Sequence, residues 1–268
     1  MCVHQIVPLK TCQSVHSHSR RAFISKTCSG CLLATGSFWI PQTAEPERGD
    51  IRAILFDGFA LFDPRPVSLL TEEIFPGKGK EITDLWRNRQ LEYCWLRQAA
   101  QQYENFTAIT QDALLFAANK TGVTLKEADR DKLINAYMNM DLWPDVLPVL
   151  RYLKTKSYSI GILSNMTRAM LDANISRNGL TNFMGPILST DQIKSYKPSP
   201  QSYQLGPEML QLKTSEILFV ASAGWDAGGA QWYGYPTFWV NRLNAPMEEL
   251  NVTVSARDNK LEALVHLL

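Results

Sequence analysis

The segment that most constrains this chain is Ile51-Arg-Ala-Ile-Leu-Phe-Asp57-Gly-Phe-Ala-Leu-Phe-Asp63, where an apolar run stops at an acid followed by glycine. A short, continuous run with β-branched and aromatic members reads as a strand buried on both faces, as found in parallel sheets. Open α/β sheets bind ligands at the carboxyl ends of their strands, and Asp57 falls at such an end. An aspartate there also caps turns, so this residue taken alone leaves both readings open.

The rest of the chain supplies more of the same sheet. Pro64 and Pro66 break the strand, and the periodicity is helical from Val67 to Met140. It predicts a helix over Val67–Phe75, stopped by Pro76-Gly77, and a long one over Glu81–Gln102. In the long helix the acids come early and the arginines late, as the helix dipole favours. Its apolar stripe is Ile82, Leu85, Trp86, Tyr93 and Leu96. A third helix is predicted from a cap at Thr110 to about Gly122, and a fourth over Leu125–Met138. From Pro144-Asp145 a helix runs to Lys156. Strands at Ser159–Leu163, Ile187-Leu188, Ile217–Ala221 and Thr237–Val240 then alternate with helices at Thr167–Asn178, Ser199–Met209 and Ala227–Trp232, and Leu261–Leu267 closes the chain. Alternating β and α units imply a parallel sheet with right-handed crossovers. The expected architecture is a Rossmann-like α/β core built from 45–65 and 141–268. An all-helical cap over 66–140 is inserted near its ligand edge, with a cleft between the two.

Composition narrows the chemistry. The 268 residues carry a net charge of +1, which gives no basic field for nucleic acid. No apolar run approaches the ~18 residues of a membrane span, so none is expected in the mature form. Cys2, Cys12, Cys28 and Cys31 crowd the start, leaving Cys94 alone in the body, which excludes an intramolecular disulfide or cysteine-rich zinc site there. His4, His16 and His18 are also N-terminal, and only His266 follows. Chemistry must therefore come from carboxylates, Lys, Arg and hydroxyls.

The first 44 residues read as a leader. Four of the 27 basic residues and none of the 26 acidic ones precede Glu45, so its removal leaves 23 basic against 26 acidic. Ser19-Arg-Arg-Ala-Phe-Ile-Ser-Lys26 precedes a short apolar run from Cys28 to Ile40, with small residues near Thr43-Ala44. That layout resembles a twin-arginine export signal, implying a periplasmic protein. A mitochondrial presequence shares the Arg- and Ser-rich, acid-poor composition, and a cytoplasmic location is the remaining alternative. Cys28-x-x-Cys31 lies inside the apolar run with no second pair and is not counted as a redox or metal site.

Several strand ends carry polar residues in a fixed order: Asp57, then Ser164-Asn165, then Asp226 after Ala221-Ser-Ala-Gly-Trp225. Lys197 lies between the last two, in Ser195-Tyr-Lys-Pro198. Singly, these are turn residues, a helix N-cap or a solvated lysine. Together and in this order they resemble the four motifs of the haloacid dehalogenase superfamily. Phe75-Pro-Gly-Lys-Gly79, Leu85-Trp-Arg87, Gln90-Leu-Glu-Tyr-Cys-Trp-Leu-Arg97, Tyr196-Lys-Pro198 and Gly234-Tyr-Pro-Thr-Phe-Trp-Val-Asn-Arg242 are similar to the L-2-haloacid dehalogenase branch. The resemblance covers essentially 51–267.

The resemblance implies hydrolysis of a short (S)-2-haloacid to a 2-hydroxy acid and halide through an aspartyl ester. It casts Asp57 as nucleophile and Lys197 as the cation that keeps it ionised. Asp226 becomes the acid that pairs with the lysine and helps activate water. Arg87 shares a helical face with Leu91, Cys94 and Trp95; such an arginine either snorkels to solvent or meets an anion. The resemblance makes it the halide acceptor, aided by Asn165. Phe59, Leu91, Phe106 and Trp225 would line an apolar pocket, while Ser164 and Tyr203 would hold the substrate carboxylate or order the site. A small halogenated carboxylic acid is then the partner, and a homodimer is compatible with the branch.

Phosphatases of the superfamily carry a second aspartate two residues after the nucleophile, where this chain has Phe59, so neither metal nor cofactor is called for. Relatives read Asp-x-Tyr/Phe-Gly-Thr-Leu after the nucleophile; here the turn is one residue shorter and lacks the threonine. Ala221 and Ala223 also stand where relatives carry hydrogen-bonding side chains. A degenerate protein that binds a small carboxylate or anion without turnover, or a hydrolase of another small substrate, is the alternative these departures raise.

Overall fold

The computed structural model describes residues 50–268; the leader expected over 1–44, with its four cysteines, lies outside the described residues. The chain enters through β1 (Ala53–Phe56), turns through the single-turn helix α1 (Gly58–Leu61) and leaves the core by β2 (Phe62–Asp63). Four helices follow: α2 (Arg65–Ile74), α3 (Gly79–Ala100), α4 (Phe106–Thr121) and α5 (Glu127–Met138). The chain returns by β3 (Asp141–Leu142), antiparallel to β2 with Phe62 opposite Leu142. Next come α6 (Val146–Thr155), β4 (Ser159–Ser164), α7 (Arg168–Arg177), β5 (Ile187–Ser189), α8 (Pro200–Leu210) and β6 (Ile217–Ala221). The chain closes with α9 (Gly224–Tyr233), β7 (Thr237–Val240), β8 (Ala256–Asp258) and α10 (Ala263–Leu267).

Six parallel strands form one sheet in the order β5-β4-β1-β6-β7-β8, so β1 lies inside it. Alternate residues of β1 feed opposite faces. Ile54 and Phe56 join one buried cluster with Ile160, Ile162, Leu218 and Val220; Ala53 and Leu55 join another with Leu163, Phe219 and Trp239. Burial on both faces is why β1 and β6 read as unbroken apolar runs. Phe56 pairs with Ile162 on one side and Val220 on the other. This register brings the ends of β1, β4 and β6 to one edge.

The structure corrects several sequence expectations. Helix α4 begins at Phe106, where the Asn105 side chain accepts from the Ala108 amide at 3.0 Å. Thr110, read as its cap, is buried inside the helix, and its hydroxyl donates to the Phe106 carbonyl at 2.6 Å. A threonine hydroxyl makes either bond, so composition does not separate a cap from an interior position. On α3 the buried face is Ile82, Trp86, Gln90 and Cys94, while Leu96 is 61% exposed. Gln90 tolerates burial because its amide donates to the Thr110 hydroxyl at 2.7 Å. Helix α9 starts a turn earlier than expected, placing Asp226 in its first turn rather than at its cap. Strands β2, β3 and β8 were not anticipated.

Candidate active site

Residue 57 is the first after β1, and its amide donates to the Val220 carbonyl at 2.9 Å, anchoring it to β6. Its carboxylate also caps α1, accepting from the Phe59 amide at 3.1 Å on Oδ2. The turn-capping reading and the ligand-edge reading of Asp57 are thus both true of one side chain. Gly58 is where this turn runs tightest: a Cβ there would lie 3.0 Å from Ser164 Oγ.

Lys197 comes from the loop before α8 and is 1% exposed. Its ammonium donates to Asp57 Oδ1 at 2.9 Å, Asp226 Oδ2 at 2.7 Å and the Leu163 carbonyl at 3.1 Å. Three protons meet three acceptors, which is what allows a lysine to stay buried and charged. Burial alone would discharge it, but Asp226 and Asp57 together outweigh that and raise its pKa.

Asp226 is equally buried. Desolvation pushes its carboxyl up to about 6, with Lys197 opposing and the Asp57 charge adding to the rise. Its Oδ1 accepts from the Tyr203 hydroxyl at 2.7 Å. Tyr203 is fully buried behind Asp226, a position that fits the second of its two expected roles, ordering the site. Burial and the adjoining Asp226 keep that phenol protonated, hence a donor.

Ser164 ends β4, accepts from the Met166 amide at 3.2 Å and is 1% exposed. Asn165 holds the lysine loop: its Oδ1 accepts from the Lys197 amide at 2.8 Å and from Thr190 Oγ1 at 3.2 Å. Its Nδ2 reaches the Lys197 carbonyl at 3.4 Å, leaving a second amide proton without an acceptor among the described residues.

The helical insertion contributes from α3. Arg87 is exposed, forms no ion pair among the described residues, and its guanidinium lies 5.7 Å from the Phe59 ring centroid. That stacking puts its charge over the turn that follows Asp57. Leu91, one turn along, is half-buried, while Phe106 opens α4 and is buried in the larger core cluster. Trp225 is half-buried and packs edge-on against Trp95 with centroids 5.5 Å apart.

The end of α3 is bolted to the lysine loop. Trp95 Nε1 donates to the Lys197 carbonyl at 3.3 Å, and Gln98 Oε1 accepts from the Tyr196 amide at 3.0 Å. Beyond the helix Tyr103 stacks on Tyr196 at 5.3 Å and donates to Asp191 at 2.6 Å. A second brace grips the turn after Asp57. The Phe59 carbonyl accepts from Trp143 Nε1 at 3.1 Å and that of Leu61 from the Trp143 amide at 3.0 Å. Arg242 donates to the Ala60 carbonyl at 3.3 Å. Arg242 lies over the Trp143 ring at 4.5 Å and forks onto Asp145 at 2.7 and 2.8 Å.

Sequence reasoning missed one residue here. Ser222, just past β6, donates through Oγ to Asp57 Oδ2 at 2.7 Å. The signal was its place in the last motif, between Ala221 and Ala223. The geometry overall is the Asp57 carboxyl held by the buried Lys197 ammonium, with a second acid behind the lysine. This arrangement is suited to carboxylate attack followed by ester hydrolysis.

The model of the haloacid dehalogenase-like hydrolase family matches residues 64–234. The (S)-2-haloacid dehalogenase of Pseudomonas sp. (strain YL) is 40% identical over 218 residues, covering 81% of this chain and 94% of that protein. Haloacetate dehalogenase H-2 of Moraxella sp. (strain B) is 35% identical, covering 81% of this chain and 98% of its own. The L-2-haloacid dehalogenase of Xanthobacter autotrophicus superposes with a TM-score of 0.75 at 32% identity, over 81% of this chain and 98% of that one. The same enzyme has been solved with chloropropionic acid covalently bound. With the Asp57–Lys197–Asp226 edge, the helical insertion and these likenesses in agreement, the chain belongs to the haloacid dehalogenase-like hydrolases, in the L-2-haloacid dehalogenase branch.

Proposed function

We propose that this protein hydrolyses short (S)-2-haloacids to 2-hydroxy acids and halide through an ester on Asp57. The observation that carries the reading is the Asp57–Lys197–Asp226 arrangement, in which one buried ammonium serves two carboxylates. Asp57 Oδ2 already accepts two hydrogen bonds, from Ser222 and Phe59, whereas Oδ1 accepts one, from Lys197. A carboxylate oxygen has about two in-plane lone pairs, so Oδ1 is the oxygen with one to spare. It attacks the carbon bearing the halogen, and the halide departs with the bonding pair toward Arg87 and the spare amide proton of Asn165. Water then adds to Asp57 Cγ, giving its proton to Asp226, and the Cγ–Oδ1 bond breaks to release the hydroxy acid. The covalent chloropropionic acid in the Xanthobacter structure supports an ester route in that enzyme, and the likeness extends it to this chain.

Incubation with (S)-2-chloropropionate in heavy-oxygen water is the direct test. The reading requires chloride release and label in the Asp57 carboxyl by peptide mass spectrometry, both lost in Asp57→Ala. Saturable binding of the acid with neither chloride nor label would instead make this an anion-binding protein. The basic, acid-free leader supports export by the twin-arginine route. Fractionation after mutating Arg20 and Arg21 to lysine tests this: the wild type should be periplasmic and the variant retained in the cytoplasm.

A further inference from the structure

The turn Gly58-Phe59-Ala60-Leu61 after Asp57 carries no side-chain hydroxyl, yet Asp57 Oδ2 is not short of donors. Ser222 Oγ lies 2.7 Å from it and the Phe59 amide 3.1 Å. Both donors are fixed from outside the side chain they serve. Ser222 follows β6, whose last residue Ala221 pairs with Trp239 of β7, and its own carbonyl accepts from Trp239 Nε1 at 3.4 Å. The Phe59 amide belongs to the turn whose carbonyls Trp143 and Arg242 hold. Ser222 is only partly buried, so it is not sealed inside the core.

We propose that Ser222 and the Phe59 amide form the oxyanion hole for ester hydrolysis in this protein, Ser222 being a catalytic residue of the second step. The assignment rests on the ester reading above. Once Oδ1 carries the substrate carbon, Oδ2 is the ester carbonyl oxygen. Water attack on Cγ moves the carbonyl electron pair onto Oδ2, and that charge returns to re-form the carbonyl when the Cγ–Oδ1 bond breaks. One water proton passes to Asp226 and then to the departing alkoxide, so the hydroxy acid leaves neutral at its new hydroxyl, and the second, left on the Asp57 carboxyl, is released to solvent to restore the carboxylate. Two donors already aimed at Oδ2 stabilise this charge without rearrangement. They do less for the first step, in which the carboxylate loses negative charge: a hydroxyl donor there stabilises the ground state as much as the transition state. Ser222 therefore acts on breakdown of the ester more than on its formation.

The experiment is rapid-mixing kinetics of Ser222→Ala and Ser222→Thr with (S)-2-chloropropionate, reading chloride release and the mass of the Asp57 peptide in quenched samples. The expected result for Ser222→Ala is a chloride burst near one per enzyme, followed by turnover slowed about 10²-fold, with the ester adduct accumulating. Ser222→Thr, which keeps the hydroxyl, should restore turnover and clear the adduct. Wild-type turnover in Ser222→Ala overturns the assignment. So does loss of the burst itself with no adduct, since that places Ser222 in the first step. Absence of chloride release from the wild type would fail the dehalogenase reading itself, an outcome distinct from either.

Discussion

Lys197 Nζ stands 2.9 Å from Asp57 Oδ1 while its opposite side bonds Asp226 Oδ2 at 2.7 Å, so a single charge balances two buried acids. Lys197→Ala leaves both carboxylates without a cation. Chloride release should fall by at least about 10²-fold. The unfolding midpoint in denaturant should drop at pH 8 and partly recover at pH 5, where one acid takes up a proton. Lys197→Arg should not rescue activity, because a planar fork does not meet three acceptors arranged around one ammonium.

Asp226 titrates near 6 because burial disfavours its charge more than Lys197 favours it. The proposed ester route has Asp226 accept the water proton, which requires it ionised, so ester breakdown should rise with pH through about 6. Tyr203→Phe removes a hydrogen bond that stabilises the carboxylate, and the midpoint of that rise should move upward. The stability effect has a definite sign. A carboxyl with a raised folded-state pKa binds its proton more tightly when folded, so its contribution is full below the ordinary value of 3.8 and is lost as pH rises through about 6. Denaturation of wild type and Asp226→Asn at pH 4 and pH 7 reads this difference: only the wild type should lose the contribution.

Arg87 is exposed and unpaired among the described residues, so its removal should leave the fold intact. Arg87→Ala should reduce kcat/KM for chloropropionate about 10²-fold, with an unchanged thermal midpoint. Added chloride should inhibit the wild type more strongly than the variant. A large stability loss would instead make Arg87 a packing residue.

Arg242 combines structural and positioning roles. Burial would raise the Asp145 pKa, but the Arg242 fork and the Leu261 amide hold it below the usual carboxylate range. That stability is present at neutral pH and is lost as pH falls through the depressed value. Arg242→Ala leaves a largely buried acid unpaired and should cost about 3 kcal/mol. At temperatures where it remains folded, it should also lower kcat through the loosened Ala60 carbonyl. Arg242→Lys should restore part of the stability but not the fork.

Much of this molecule was legible because its sheet is buried on both faces. Strands β6 and β7 are apolar runs bounded by turn residues, and their limits could be read directly. β8 was not, since Ala256-Arg-Asp258 is a half-exposed edge strand with no apolar signature. The two-residue ladder of β2 and β3 is too short to leave a pattern. The α3 stripe failed for a different reason: Gln90 is buried because of a hydroxyl twenty positions away, which no local periodicity contains. In the site, Asp57, Ser164, Lys197 and Asp226 each stand at a strand end or in a motif of unusual composition. Ser222 is a serine among small residues, and its importance depends on where Oγ points. Tyr203 was visible as a candidate, but its place behind Asp226 follows only from the packing of α8 against α9.

The nucleophile turn draws little support from its own side chains. Phe59, Ala60 and Leu61 have all three carbonyls held by Trp143 and Arg242, residues more than eighty positions away. A loop held by distant residues can change length without losing its shape, because its anchors do not count residues. Grafting longer or shorter turns at 58–61 onto this chain is accordingly a promising place to begin altering which acids it accepts.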